Sequence, residues 1–341
     1  MEFASDNTAG LSAEVSEALL TEGARFGPAY GGDQVTRDLD RLFSDLFGTE
    51  VRAFPVSSGT AANGLALACV SVPHTQIRCA QGAHLATDEA TGPEAFTACR
   101  LTELPNVGGL IDAAGLEAKL GQHARPPHSL FPTALSVTQA TETGQLYPLE
   151  RLRGISRAAR GHGLKLHMDG ARFANALARL KATPAEGAWK VGVDVLSFGA
   201  SKNGAAADAV IFFDLKAAER FERTAKRFGH TLCKTRLLSA QLAAHVHDGR
   251  WLRRAENANA RAQELAAGLA GVEGMTLLYP VETNMLFVRM SLSAEAALRA
   301  RGARFFVLPS DDGHVTARLV TNFQTSPDEV GRLLDAARDA A

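Results

Sequence analysis

Short apolar runs that break into small-residue turns, each followed by a helical pattern, recur along the first two-thirds of this chain. That alternation leaves few folds open. A strand whose neighbours run parallel to it needs a helix to carry the chain back, and helices on both faces bury the sheet. Val35, Leu39, Leu42, Phe43, Leu46 and Phe47 recur at helical spacing until Gly48 stops the run. Residues 52–56 then read as a strand leading into Ser57-Ser58-Gly59-Thr60, and 61–70 as a helix. Residues 77–80 and 134–137 are further strands. The stretch 149–162 is helical and Gly163 ends it. Apolar runs before Asp169 and Lys202, and the run 208–213, add three more strands. The pattern predicts a mostly parallel sheet covered on both faces.

The last third changes character. A helical stretch covers about 236–269, with Asp248-Gly249 as its break. Three short strands follow at 284–290, 304–308 and 314–320, then a terminal helix from about Pro327. This reads as a smaller α+β domain. With 341 residues there is room for two domains. The expected division is 1–245, including the N-terminal segment, and 246–341. Hydrophobic residues make up 46% and the net charge is −1, which gives no electrostatic case for nucleic acid or an anionic membrane. No apolar run approaches the ~20 residues that span a bilayer. The acidic start, Met1-Glu2-Phe3-Ala4-Ser5-Asp6-Asn7, lacks the basic and apolar regions of a signal peptide. Cys69, Cys79, Cys99 and Cys233 show no CxxC spacing, so reduced thiols are expected, with no disulfide framework and no metal site. The expectation is a soluble, cytoplasmic protein.

Two turns carry the chemistry. Leu164-Lys165-Leu166-His167-Met168-Asp169-Gly170-Ala171-Arg172 delivers an acid to a strand end. Ser197-Phe198-Gly199-Ala200-Ser201-Lys202-Asn203-Gly204-Ala205 delivers a lysine. An acid and a sheltered lysine at neighbouring strand ends suit pyridoxal phosphate: the lysine forms a Schiff base, and the acid keeps the pyridine nitrogen protonated. Taken alone, both residues equally suit solvated loops and helix caps. Ser58-Gly59-Thr60 opens a helix, where free amides bind phosphate, although an ordinary cap reads the same way. His84 follows a strand and can stack on a ring or act as acid or base. His128, before the 134–137 strand, is a second candidate base, and both also fit as plain loop residues. Arg172 and Arg318 offer guanidinium forks for a substrate carboxylate, with structural ion pairs as the alternative. Glu89 and Asp88 either orient the His84 loop or face solvent.

Together these segments resemble the low-specificity threonine aldolases, including phenylserine aldolases, of the β-eliminating lyase group. The likeness runs over essentially the whole chain. Ser5-Asp6-Asn7, Tyr30-Gly31-Gly32-Asp33, Ser58-Gly59-Thr60-Ala61-Ala62-Asn63 and His167-Met168-Asp169-Gly170-Ala171-Arg172 match family elements. So do Ser201-Lys202-Asn203-Gly204, Thr283-Asn284-Met285-Leu286-Phe287-Val288 and Arg318-Leu319-Val320-Thr321. The resemblance implies the pyridoxal-phosphate transferase fold type I, with a mostly parallel seven-stranded sheet in the large domain and a small α+β C-terminal domain. It implies retro-aldol cleavage of threonine, allo-threonine and phenylserine to glycine and an aldehyde. Lys202 carries the cofactor, Asp169 pairs with its ring nitrogen, and His84 stacks on it; His84 or a water it positions, with His128 as second choice, acts as base. Ser58, Gly59, Thr60 and Ser201 hold it with Arg172, and Lys226 reaches it from a neighbouring subunit. Ser5, Tyr30, Arg172 and Arg318 hold the substrate. A homo-oligomer, tetramer or at least dimer, is implied. One departure is visible: Ala205-Ala206-Ala207-Asp208-Ala209-Val210 replaces the family's glycine-rich loop. The alternatives are another enzyme of the same fold type (a β-eliminating lyase, a racemase or an aminotransferase) and a non-catalytic scaffold.

Overall fold

Seven strands form the main sheet of this computed structural model, which describes residues 1–120, 127–309 and 313–340. They are β1 (Arg52–Val56), β2 (Gln76–Ala80), β3 (Arg100–Leu104), β4 (Pro132–Thr138), β5 (Lys165–Gly170), β6 (Val195–Phe198) and β7 (Asp208–Phe212). Their order across the sheet is β1-β7-β6-β5-β4-β2-β3. From β6 through β3 all pairings are parallel, while β7 runs antiparallel to both of its neighbours. β6 and β7 are buried at every position, as the continuous apolar runs in the sequence require.

Helices cover both faces. Gly59–Val70 is buried at almost every position, because it lies between the sheet and the Phe96 and Phe221 side. Leu39–Phe47 stops at Gly48, which takes a left-handed φ of 63°. Phe43, Phe47, Phe173 and Phe198 pack edge to face or tilted on the other side of the sheet. The segment 236–269 is two helices, Arg236–Val246 and Arg250–Leu269, with the break at Asp248 (φ 55°) where the sequence places it.

A second sheet follows, built of β8 (Thr276–Leu277), β9 (Met285–Ser291), β10 (Phe306–Pro309) and β11 (His314–Val320), in the order β8-β9-β11-β10 and wholly antiparallel. Its core includes Leu265, Leu269, Leu286, Val288, Leu319 and Leu333. Phe3 is buried in this second core, and Glu2 bridges to Arg304. Met1 and Phe3 therefore pack with the C-terminal core: a fully buried phenylalanine goes where its apolar surface is covered. No helix among the described residues is long and apolar enough to cross a membrane.

Candidate active site

Parallel strands present their C-terminal ends together, and turns there converge on one crevice. Here the ends of β1, β2, β4, β5 and β6, with the start of β7, surround a cavity of about 350 Å³. Lys202, Asp169, His84, Ser58, Gly59, Thr60, Ser201 and Arg172 all line it. Residues as distant in the chain as Ser58 and Lys202 are thus brought together by the crossover connections.

The acid turn and the lysine turn nest into each other. Gly199 N–H donates to Gly170 O at 3.1 Å. A Cβ on Gly199 would lie 2.5 Å from Ala171 O, so only glycine allows this approach. The buried Asp208 fixes the lysine turn: it accepts from Ala200 N (2.8 Å), Ser201 N (2.9 Å) and Ser201 Oγ (3.1 Å). Burial pushes the Asp208 carboxyl up while these donors pull it down. The unusual alanine-rich segment thus ends in the residue that holds Lys202 in place. The Lys202 amine itself has its pKa lowered, first by the Arg172 charge and then by burial, with Asp6, Asp169 and Asp208 opposing. A lowered pKa frees the amine lone pair for attack on a carbonyl.

Asp169 ends β5 nearly buried, accepting from Asn63 Nδ2 at 2.9 Å and from Ala171 N at 3.0 Å. Asn63 Nδ2 also donates to Glu89 Oε1 at 2.9 Å, and Glu89 Oε1 lies 2.8 Å from His84 Nδ1. A continuous polar chain therefore joins His84 to Asp169. The Glu89 hydrogen bond raises the His84 pKa against the effect of burial. Of the two acids weighed for the His84 loop, Glu89 orients it, while Asp88 accepts from Thr87 Oγ1. At the Gly59–Val70 N-terminus, Ser58 Oγ accepts from Ala61 N at 3.2 Å, so Ser58 is a cap. The first-turn amides of Gly59 and Thr60 have no partner within the helix and are free for an anion.

The arginines divide. Arg172 makes a bidentate pair with the buried Asp6, at 2.7 and 2.9 Å. Burial raises the Asp6 pKa, but Arg172, Lys202 and the bonds from Arg172 and Asn284 outweigh it and hold the carboxyl below its ordinary value. The fork expected to be open for substrate is therefore met by Asp6, which the sequence reading passed over in favour of Ser5. Ser5 lies outside the cavity lining, its Oγ accepting from Asn7 N at 3.2 Å, and Asn7 lines the cavity instead. Arg318 does not line it either. Its guanidinium lies 5.0 Å from the Phe306 ring centroid, Nη2 donates to Ala4 O at 3.4 Å, and Nε has no partner. Burial, then the Arg172 charge, lower its pKa, which places it within electrostatic reach of the site.

Three expected residues are elsewhere. His128 is exposed just ahead of β4, at the end of the strand opposite the cavity. Tyr30 and Lys226 line a second cavity of about 550 Å³, with the ammonium 5.4 Å from the tyrosine ring centroid. The residues missed were Asn63, Asp6, Asn7, Glu142 and Asp208. Asn63, Asp6 and Asn7 carried a signal, since they lie in the motifs Ser58-Gly59-Thr60-Ala61-Ala62-Asn63 and Ser5-Asp6-Asn7.

These groups fit pyridoxal phosphate: an amine of lowered pKa, an oriented acid, an imidazole and unpartnered helix amides meet in one space. The fold is the fold type I of pyridoxal-phosphate enzymes. A threonine aldolase from Leishmania major superposes with a TM-score of 0.94 at 26% identity, covering 100% of this chain and 99% of that one. An aspartate aminotransferase from Thermus thermophilus shares the fold at a TM-score of 0.69 and 17% identity, covering 98% and 89%. The beta-eliminating lyase family model matches residues 2–293. A low specificity L-threonine aldolase from a Pseudomonas species is 39% identical over 340 residues, 99% of this chain and 96% of the relative. The chain belongs to the beta-eliminating lyase family, whose members are pyridoxal-phosphate enzymes.

Proposed function

We propose that this protein is an aldehyde-lyase that uses pyridoxal phosphate to cleave β-hydroxy-α-amino acids, threonine among them, to glycine and an aldehyde. The observation that carries this reading is the meeting of Lys202 and Asp169 in one cavity with the open amides of the Gly59–Val70 helix. The similarity to threonine aldolases at 39% identity supports the reaction. Allo-threonine and phenylserine extend the substrate range, because nothing lining the cavity is a tight apolar pocket for a particular β side chain.

Bound here, the cofactor supplies an electron sink for the bond broken at Cα. Lys202 is its attachment point, and Asp169, oriented by Asn63 and Ala171, keeps the proton on its ring nitrogen. Gly59, Thr60 and Ser201 would hold its phosphate, and His84 would lie against its ring. Arg172, its Nε and Nη2 held by Asp6, would meet the substrate carboxylate through its remaining nitrogen with Asn7 beside it, and the Arg318 charge adds attraction from outside the cavity lining. Alignment sets the Cα–Cβ bond for cleavage. Glycine leaves after Cα regains a proton. The large unit is read as 1–245 and the small one as 246–341, with Phe3 stitching the N-terminus to the latter. The enzyme is read as a cytoplasmic homo-oligomer, in which the Tyr30 and Lys226 face meets a neighbouring copy.

The test is direct. Purified protein given pyridoxal phosphate and threonine should release glycine and acetaldehyde in equal amounts. Lys202→Ala should lose turnover and the visible absorbance of the bound cofactor together, since no other amine among the described residues lines the cavity. Full activity in that variant, or pyruvate in place of the aldehyde, would sink the reading.

A further inference from the structure

Cleavage of a β-hydroxy amino acid needs a group that accepts the hydroxyl proton. Among the described residues, four carboxylates line the cavity: Glu89, Glu142, Asp169 and Asp208. Asp169 has both oxygens engaged, by Asn63 and Ala171. So does Asp208, by Ala200, Ser201 N and Ser201 Oγ. Glu89 is filled on one oxygen by Asn63 and His84, and its other oxygen is sealed from solvent. Glu142 differs. Its Oε1 accepts from His84 N at 2.9 Å and from Thr138 Oγ1 at 3.0 Å, which fixes the carboxylate against the cavity wall. No other side chain or backbone group among the described residues donates to its Oε2, which is not among the sealed atoms, and the one further donor to the carboxylate is Glu142's own backbone N–H. Thr138 pairs in register with Asp169, so Glu142 hangs beside the acid that serves the cofactor. His84, the other candidate, has Nδ1 committed to Glu89.

We infer that Glu142 is the catalytic residue that takes the proton from the substrate's β-hydroxyl group, while His84 lines the wall beside it. This rests on the reaction proposed above. The O–H bond breaks with its proton going to Glu142 Oε2. Its electron pair becomes the second C–O bond of the aldehyde. The Cα–Cβ pair stays with Cα, and Cα takes one proton before glycine leaves, so no further reactant is consumed.

The surroundings agree. Burial, then the nearby Asp169 charge, raise the Glu142 pKa against its hydrogen bonds from His84 N and Thr138, moving the carboxylate toward the basicity a general base requires. Glu89, bonded to Nδ1, raises the His84 pKa and ties the imidazole into the chain that runs through Asn63 to Asp169. The remaining titratable neighbours are Cys79, at the end of β2, and Tyr147. The Cys79 thiol is pushed up to about 12 by burial, and burial also raises the Tyr147 phenol, so both stay neutral.

Glu142→Gln keeps an oxygen for Thr138 and His84 N but cannot accept the proton. It should lower kcat/KM for threonine cleavage by ~10²–10⁴-fold. Exchange of the glycine α-hydrogen in deuterated water, which involves no hydroxyl, should stay within a few-fold of wild type. Cleavage within a few-fold of wild type overturns the assignment, and so does equal loss of both reactions. Thr138→Val removes a bond that lowers the Glu142 pKa, so the acidic limb of the kcat/KM profile should move to higher pH; an unmoved limb also overturns it. Cofactor-free protein gives a readout independent of turnover. Because the folded pKa is raised above 4.5, ionised Glu142 costs stability above that pH, and Glu142→Gln should melt higher than wild type at pH 8 but not at pH 4. No difference at pH 8 counts against the proposal. Wild-type protein that exchanges glycine hydrogen but cleaves no β-hydroxy amino acid overturns the functional reading, and this inference with it.

Discussion

His84 shows how much one neighbour sets a side chain's chemistry. Its ring is 44% exposed, yet Glu89 at 2.8 Å raises its pKa more than burial lowers it. Removing the charge should reverse the balance. Glu89→Gln is expected to lower the His84 pKa, read from the imidazole proton shifts across a pH titration. The sign carries into stability. A histidine whose folded pKa lies above its ordinary 6.5 contributes stability that is full below that pH and lost as pH rises through the folded value. The melting gap between wild type and Glu89→Gln should therefore be wider at pH 6 than at pH 9. A gap that grows with pH would mean that Glu89 acts through Asn63 and not through His84. Asp6 runs the other way: its lowered pKa makes its contribution full above its ordinary 3.8 and lost as pH falls through the folded value.

At the level of elements, the site depends on two turns that touch through backbone. The contact of Gly199 with Ala171 leaves no room for a methyl group, and backbone atoms at 2.5 to 2.7 Å cannot swing aside as a side chain would. Gly199→Ala should therefore cost about 3 kcal/mol in urea unfolding and displace Lys202. Loss of cofactor absorbance should accompany the stability loss. An alanine variant with wild-type stability and spectrum would show that the turns separate without consequence. Asp208 ties the same turn from β7, the strand that runs antiparallel to its neighbours. Reversing that strand brings its N-terminal residue, and not its C-terminal one, to the cavity.

Across the whole molecule, we propose that the surface near Tyr30 is where a second copy packs. Phe26, Tyr30 and Leu232 are exposed there, and Lys226 stacks on Tyr30 far from its own Lys202. Exposed apolar side chains grouped around a basic cavity fit an interface better than a solvated face. Light scattering should give a mass that is a multiple of the 36.1 kDa chain, and Lys226→Ala should weaken cofactor binding without unfolding the protomer. A fully active protein of single-chain mass would refute both. The N-terminal segment joins the two units: Phe3 enters the second core, while Asp6 bonds Arg172 of the first unit and Asn284 of the second.

The sequence by itself determined the elements. Apolar periodicity and turn residues are local, so β1, β11 and the terminal helix Pro327–Asp339 lie where the pattern puts them, as does the break at Asp248. Motif spelling also placed Lys202, Asp169, His84 and the Ser58-Gly59-Thr60 turn in one cavity, because each sits where a strand ends. The β3 strand, half exposed and poor in apolar alternation, gave no such local sign. Tertiary structure alone decided the pairings. That Asp6 fills the fork of Arg172, that Asn63 links Glu89 to Asp169, and that Glu142 keeps a free oxygen all depend on residues far apart in the chain. The distance of His128 from the cavity was hidden for the same reason: only the parallel direction of β4 tells which end of the strand faces the cavity. Hydrogen bonds need distances within a few tenths of an ångström, and sequence spacing cannot supply them once the chain has crossed the sheet.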